Sequence, residues 1–185
     1  MRGIHSAPSR EDERCSESRE IFTFRTTALL AIATALPGVV AVAVFPRSGA
    51  RDAFGILFHL AMIFVVSRLP GPAWAKAAGF GWLILDIACG AMLLNGVPHD
   101  IAWPVRLGGH LLYGMWIIAV SLLCTDRSVS VLGVIIGLWL SLYTFFGAGH
   151  PESLIGPPGF LTLVWIALLA GKYRPEQETA SAVTP

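Results

Sequence analysis

The stretch WAKAAGFGWLILDIACGAMLL, residues 74–94, decides the fold class of this chain. It is almost wholly apolar, and a transmembrane helix needs roughly 20 consecutive apolar residues. Five further runs of similar composition flank it, separated by short turns rich in Gly, Pro or charge. The six predicted membrane helices are 26–45, 53–69, 74–94, 104–124, 129–147 and 158–173.

The composition supports the same class. Hydrophobic residues make up 55% of the chain and charged residues only 14%, whereas a soluble domain carries about 25% charged residues. Because hydrocarbon offers the backbone no hydrogen-bond partners, the apolar runs must be helical. A formal net charge of +1 gives no reason to predict a nucleic-acid partner. The sequence therefore predicts an all-α transmembrane bundle of about six helices, surrounded by membrane lipids.

The lysines and arginines of the short loops predict the orientation of this bundle. With the N-terminus in the cytoplasm, most of them lie on the cytoplasmic side, and only Arg47, Arg51 and Arg106 lie outside. Both termini are therefore predicted to be cytoplasmic. The predicted organisation is a disordered cytoplasmic tail at 1–25, a transmembrane bundle at 26–173 and a disordered cytoplasmic tail at 174–185, in the cell membrane.

Polar residues inside the predicted helices indicate a candidate site. Asp86 lies near the middle of the third helix, where a carboxylate costs about 2.5 to 3.5 kcal/mol unless it faces the protein interior. His59 lies in the outer half of the second helix. Arg106, His110 and Tyr113 share one face of the fourth helix. We therefore predict a polar pocket that opens outward.

Asp86, His110 and His59 are the candidate catalytic residues. Burial favours a neutral Asp86 carboxyl group, which could act as a general acid or proton carrier, or could form a structural hydrogen bond between helices. His110 could be a ligand, a proton shuttle or an interhelical hydrogen-bond donor. Arg106 is expected to extend to the outer headgroups rather than to bind an anion.

The candidate ligand-binding residues are spread more widely along the chain. They are Tyr113, Arg106, Trp82, Trp116, His150 and Glu152. The two tryptophans could line a lipophilic cavity or pack as bulk, and the last two residues fall in the third outer loop. Histidines and carboxylates are metal-ligand types, but none occurs in a known motif spacing, so no metal site and no cofactor are predicted.

Gly133 and Gly137 form the small-residue motif GVIIG in the fifth helix. Small residues at this spacing let two helices approach closely in a membrane. The motif is interpreted as an internal packing seam or, alternatively, as the interface of a homo-oligomer.

Three segments resemble a group of small bacterial multi-pass membrane proteins of unassigned function. They are RLGGHLLYGMWIIAVSLL, VLGVIIGLWLSLYTFFGAG and GFLTLVWIALLAGKYR, within residues 106–174. The resemblance implies a compact helical bundle in a bacterial inner membrane. It implies no catalytic residue.

Three classes of function remain open. The first, which the intramembrane polar residues favour most, is a protein that binds or moves a small lipophilic or protonatable molecule through the pocket. The second is an intramembrane enzyme that acts on a lipid or isoprenoid, with Asp86 as the acid and His59 or His110 as the base, as in small helical-bundle terpene cyclases. The third is an accessory or sensing subunit that docks through the Gly133/Gly137 face.

Overall fold

The computed structural model describes residues 23–44, 49–146 and 151–172, and the regular structure in these ranges is entirely helical. Six helices there are long and apolar enough to cross a membrane. They are α1 (Phe24–Val44), α2 (Ala50–Arg68), α3 (Ala73–Leu94), α4 (His99–Leu123), α5 (Arg127–Phe146) and α6 (Gly156–Lys172), with a 3-10 helix at Glu152–Ile155 before α6. The predicted disordered tails lie outside the described residues, except for residues 23–25, of which Phe24 and Arg25 form the start of α1.

The outer surface of the bundle is apolar on all six helices. Large exposed side chains include Leu29, Ile84, Leu122, Phe145 and Phe160. A soluble monomer rarely exposes so much contiguous apolar surface, because water would have to cover it. Together with the helix lengths, this surface makes the chain a multi-pass membrane protein with an all-α, six-helix bundle fold.

Successive helices are packing neighbours, and α6 packs back on α1, so that the bundle closes. The helix α4 is the most deeply embedded, with eleven buried residues among them Trp116 and Ile117. The C-terminal ends of α1, α3 and α5 meet the N-terminal ends of α2, α4 and α6 at one end of the bundle. On the orientation predicted from the loop charges, this is the outer end.

The closest helix pairing is between α4 and α5, at the predicted small-residue motif. Gly133 and Gly137 are buried, and a Cβ atom added to Gly137 would lie 2.9 Å from the backbone oxygen of Gly114 on α4. Side chains larger than hydrogen would therefore force the two backbones apart. Since α4 covers this face within one chain, the predicted homo-oligomer would have to form elsewhere or displace α4.

The start of α4 differs from the sequence prediction. The sequence predicts that the fourth helix begins at residue 104, which would leave His99 and Asp100 in the preceding loop, but α4 begins at His99. Pro98 precedes the helix in an extended conformation, and Asp100 in the first turn is favoured by the positive end of the helix dipole. Pro104 is the sixth residue of this helix and lies beyond its first turn, so it removes the hydrogen bond that an N–H group at this position would donate to the backbone oxygen of Asp100.

At the opposite end of the bundle an ion pair joins Asp126, which lies outside the membrane spans, to Lys172, the last residue of α6. Asp126 caps α5 by accepting hydrogen bonds from the backbone N–H groups of Ser128 and Val129, at 3.0 and 3.1 Å. Lys172, at the end of α6, donates to the same carboxylate at 2.7 Å. The hydrogen bond from Lys172 and the cap together lower the pKa of Asp126 to about 2.

Candidate functional site

A cavity of about 590 Å³ lies at the end of the bundle where α2, α4 and α6 begin. All six helices contribute to its wall, α5 through Leu140. Most of the lining is apolar, and part of it is aromatic: Phe54, Phe58, Trp82, Trp103, Tyr113 and Phe160. The charged and ionisable groups of the wall come chiefly from three consecutive helices, α2, α3 and α4.

Asp86 forms the centre of a buried ion-pair cluster. Asp86 is 2% exposed, and its Oδ1 atom accepts a hydrogen bond from Arg106 Nε at 3.2 Å. The guanidinium of Arg106 also lies 3.7 Å from Asp52 Oδ1, in the first turn of α2. Arg51 Nε lies 3.7 Å from the same oxygen, but the Arg51 side chain is more exposed, at 36% against 17% for Arg106. One buried guanidinium therefore serves two carboxylates.

His59 faces Asp86 from α2. Its Nδ1 atom lies 2.6 Å from the backbone oxygen of Gly55, one turn earlier. Because a carbonyl oxygen only accepts hydrogen bonds, Nδ1 carries the proton. The other ring nitrogen, Nε2, lies 3.7 Å from Asp86 Oδ2. The imidazole is held on its other side by an edge contact with Trp82, at 5.3 Å between ring centroids.

His110 lies one helical turn after Arg106 on α4 and is 8% exposed. Its Nδ1 atom is fully buried and has no hydrogen-bond partner among the described residues, and the same holds for Asp86 Oδ2. Buried polar atoms usually find a partner, so two unpartnered atoms in the wall of one cavity are a distinctive feature. The adjacent Gly109 permits this arrangement, because a Cβ atom there would lie 3.2 Å from Asp86 Oδ2.

Aromatic rings form the floor of the cavity. Trp82 and Tyr113 lie 4.0 Å apart between ring centroids, and Trp116 stacks on Trp82 at 5.8 Å. Tyr113 is fixed by a 2.9 Å hydrogen bond between its hydroxyl and that of Thr162 on α6. Since Thr162 donates to the backbone oxygen of Pro158, the tyrosine is the donor in this pair.

The cavity brings together six of the residues singled out from the sequence. They are His59, Trp82, Asp86, Arg106, His110 and Tyr113. Trp116 does not line the cavity; it lies behind Trp82 in the core, where it makes an edge contact with Trp165. His150 lies outside the described residues, as does the side chain of Glu152.

Two features of the site differ from the sequence interpretation. Arg106 turns into the bundle and pairs with Asp86 instead of extending to the headgroups. The contact between Nε and Oδ1, at 3.2 Å, has the geometry of a charge-assisted hydrogen bond. Asp52 was not singled out, because it precedes the predicted start of α2 at residue 53. Its spacing from His59, seven residues along one helix, was the available signal.

The sequence interpretation also missed two further residues of the wall, Trp103 and Thr162. Trp103 precedes the predicted start of the fourth helix, yet it lines the cavity and makes an edge contact with His110, at 6.5 Å between ring centroids. Thr162 carried no signal apart from its polarity. Among the residues that the structure describes, no three His, Cys, Asp or Glu side chains are placed to hold a metal ion together.

Fold and site define a class: a multi-pass helical membrane protein whose internal cavity carries a buried ion-pair cluster. Comparison of the chain with protein-family models, curated proteins and solved structures gives no match. The function is therefore argued from the geometry of the cavity alone.

Proposed function

We propose that this protein binds a small amphipathic molecule in the cavity, with the apolar part against the aromatic wall and a polar group at the Asp86 cluster. The observation that carries the proposal is the combination of an apolar cavity of about 590 Å³ with charged groups gathered on one side. Cavities of about 300–1,000 Å³ with few, convergent polar groups are typical of small-molecule sites.

The polar groups in the wall indicate that the cavity is more than an imperfection in the packing of the helices. Asp86, Arg106 and His110 are costly to keep in a membrane interior, and hydrophobic residues of similar size would fill the space more stably. Their convergence on one cavity is expected if they contact a ligand. On the predicted orientation the cavity lies in the outer half of the membrane, so the ligand enters or leaves from the outer side.

Two glycines give a matched test of this proposal. Gly55 lines the cavity, and a Cβ atom added there meets no atom within 4 Å. Gly55→Phe should therefore fill part of the cavity without disturbing the backbone. Gly171, near the end of α6, also has open space around it but does not line the cavity, so Gly171→Phe serves as the control.

The measurement is native mass spectrometry of the protein released from membrane nanodiscs, with small molecules that co-purify identified afterwards. Wild type and Gly171→Phe should carry the same bound amphiphile, and Gly55→Phe should lose it. An equal adduct in all three proteins, or none in any of them after exposure to a lipid extract, would contradict ligand binding in this cavity.

The second candidate function is an intramembrane enzyme that acts on a lipid or isoprenoid by acid–base chemistry. It is favoured by the free atoms Asp86 Oδ2 and His110 Nδ1, since unpartnered groups of this kind can take or give a proton. Incubation with isoprenoid or lipid extracts, followed by mass analysis of products, tests it. Product formation should disappear in both Asp86→Asn and His110→Gln while both variants still fold.

A further inference from the structure

The positive charges of the cluster are distributed unevenly between its two carboxylates. Asp52 and Asp86 have side chains that are 12% and 2% exposed, and both contact the single guanidinium of Arg106. The second nearby cation, Arg51, also pairs with Asp52, so that two arginines and two carboxylates are equal in number, but Arg51 makes no ion pair with Asp86. Asp86 therefore shares its arginine with a second carboxylate. A positive ligand group beside Asp86 would complete its pairing, and an anionic one would be repelled by the carboxylates.

The hydrogen-bonding atoms at the inner end also favour a donor. Nδ1 of His59 donates to Gly55, so that Nε2 of the neutral ring is an acceptor. This acceptor faces a second acceptor, Asp86 Oδ2, across 3.7 Å, and Oδ2 receives no hydrogen bond from the described residues. Two acceptors that face each other are stabilised by a group that donates to both.

Two of the three guanidinium nitrogens of Arg106 face carboxylates. Nε donates to Asp86, and a terminal nitrogen faces Asp52. An anion that approached Arg106 would also approach both carboxylates. Aromatic rings, in contrast, surround the same space, and the faces of tryptophan and tyrosine attract cations. Trp82, whose ring contacts both His59 and Tyr113, is the nearest of these.

We propose that the ligand of this cavity is a lipophilic amine in its protonated form, with the ammonium group seated between Asp86 Oδ2 and His59 Nε2. The proposal rests on the proposed function, because it specifies the chemical class of the bound amphiphile. The ammonium donates to both acceptors, and its alkyl or aryl body lies against the apolar wall formed by α1, α2 and α6.

Three photoreactive probes test the head group directly. They share one diazirine-bearing decyl chain and differ only in carrying an amine, an alcohol or a carboxylic acid. Each is cross-linked to the wild-type protein in nanodiscs at neutral pH, and the labelled peptides are mapped by mass spectrometry. A charge-assisted hydrogen bond favours the amine over the alcohol by about tenfold or more in labelling of cavity-lining peptides.

Two carboxylate variants identify the group responsible. Asp86→Asn should reduce labelling by the amine probe to the level of the alcohol probe. Asp100→Asn, at an exposed carboxylate of α4 outside the cavity, should leave it unchanged. If Asp86→Asn fails to fold, the comparison of head groups in the wild-type protein still decides the question.

The outcomes separate this inference from the proposal on which it rests. Suppose that labelling of the cavity is lost in Gly55→Phe but is equal for the amine and alcohol probes, or strongest for the carboxylic acid. Ligand binding in the cavity is then supported, and the proposal that the ligand is an amine is overturned. If none of the three probes labels cavity peptides, both the amine proposal and the proposal of ligand binding are overturned.

Discussion

Replacement of Gly114 by alanine is a direct test of the packing between α4 and α5. A Cβ atom at this position would collide with the hydroxyl of Ser141 and lie 2.6 Å from the backbone oxygen of Gly137. Ordinary contacts begin at 3.4 Å, so the helices must separate by about 0.8 Å, the difference between the two distances. A backbone oxygen cannot rotate away as the end of a flexible side chain can.

The expected loss follows from two opposing contributions. Overpacking in a well-packed core costs about 1–3 kcal/mol, and a clash with the backbone belongs at the upper end of this range. Alanine is a better helix former than glycine by about 1 kcal/mol. The free energy of unfolding of Gly114→Ala should therefore fall by about 2 kcal/mol. Gly171→Ala, which has open space around the added methyl group, should be neutral or slightly more stable.

Both variants are measured by titrating the protein from mild-detergent micelles into a denaturing detergent and following helical circular dichroism. The test is that alanine lowers the free energy of unfolding at Gly114 but leaves it unchanged or raises it at Gly171. If Gly114→Ala unfolded at the same detergent fraction as the wild type, or at a higher one, the two helices could not pack as closely as described.

Three other predictions concern separate parts of the bundle. Tyr113→Phe should lower the free energy of unfolding by about 1 kcal/mol in the same titration, because a buried hydrogen bond to α6 is lost; unchanged stability would count against that bond. Reporter fusions after Thr125 and after Glu152 should report opposite sides of the membrane, since α5 separates them; reports from the same side would refute the six-span topology. The pair of Asp126 and Lys172 should stabilise the fold above pH ~4 and lose this effect as the pH falls towards 2, because the pKa of the carboxyl group is lowered in the folded state. In Lys172→Met the free energy of unfolding should therefore change less between these pH values. If the variant showed the same pH dependence as the wild type, the pair would not be its cause.

The six-helix fold was predictable because each apolar run is close to the length that a bilayer demands. Helix ends were less predictable. The sequence HDIAW before Pro104 looks like a polar loop, yet it forms the first turn of α4, since Pro98 and Asp100 are good residues for a helix start. Hydropathy identifies only the part of a helix that crosses the membrane. The exact start of the helix depends on local residues such as the proline and the aspartate, which hydropathy does not take into account.

Some residues of the candidate site were predictable from the sequence, but the contacts between them were not. Asp86 and His110 had to face the interior on energetic grounds, and both line the cavity. That Arg106 would bond Asp86 depends on how α3 and α4 are rotated about their axes, which a single sequence does not determine. The same rotation directs Trp116 into the core, although its spacing on α4 is compatible with the polar face.

The closure of the bundle by α6 bears on the order in which the protein is assembled. Asp52, Asp86 and Arg106 belong to three consecutive helices, so that their charges can pair while the ribosome is still synthesising α5. The last helix then brings Thr162 to Tyr113 and packs on α1. The cavity is thus completed only when α6 has inserted. A nascent chain that stopped after α5 would have paired Asp86 with Arg106 but would leave the space beside them open to lipid.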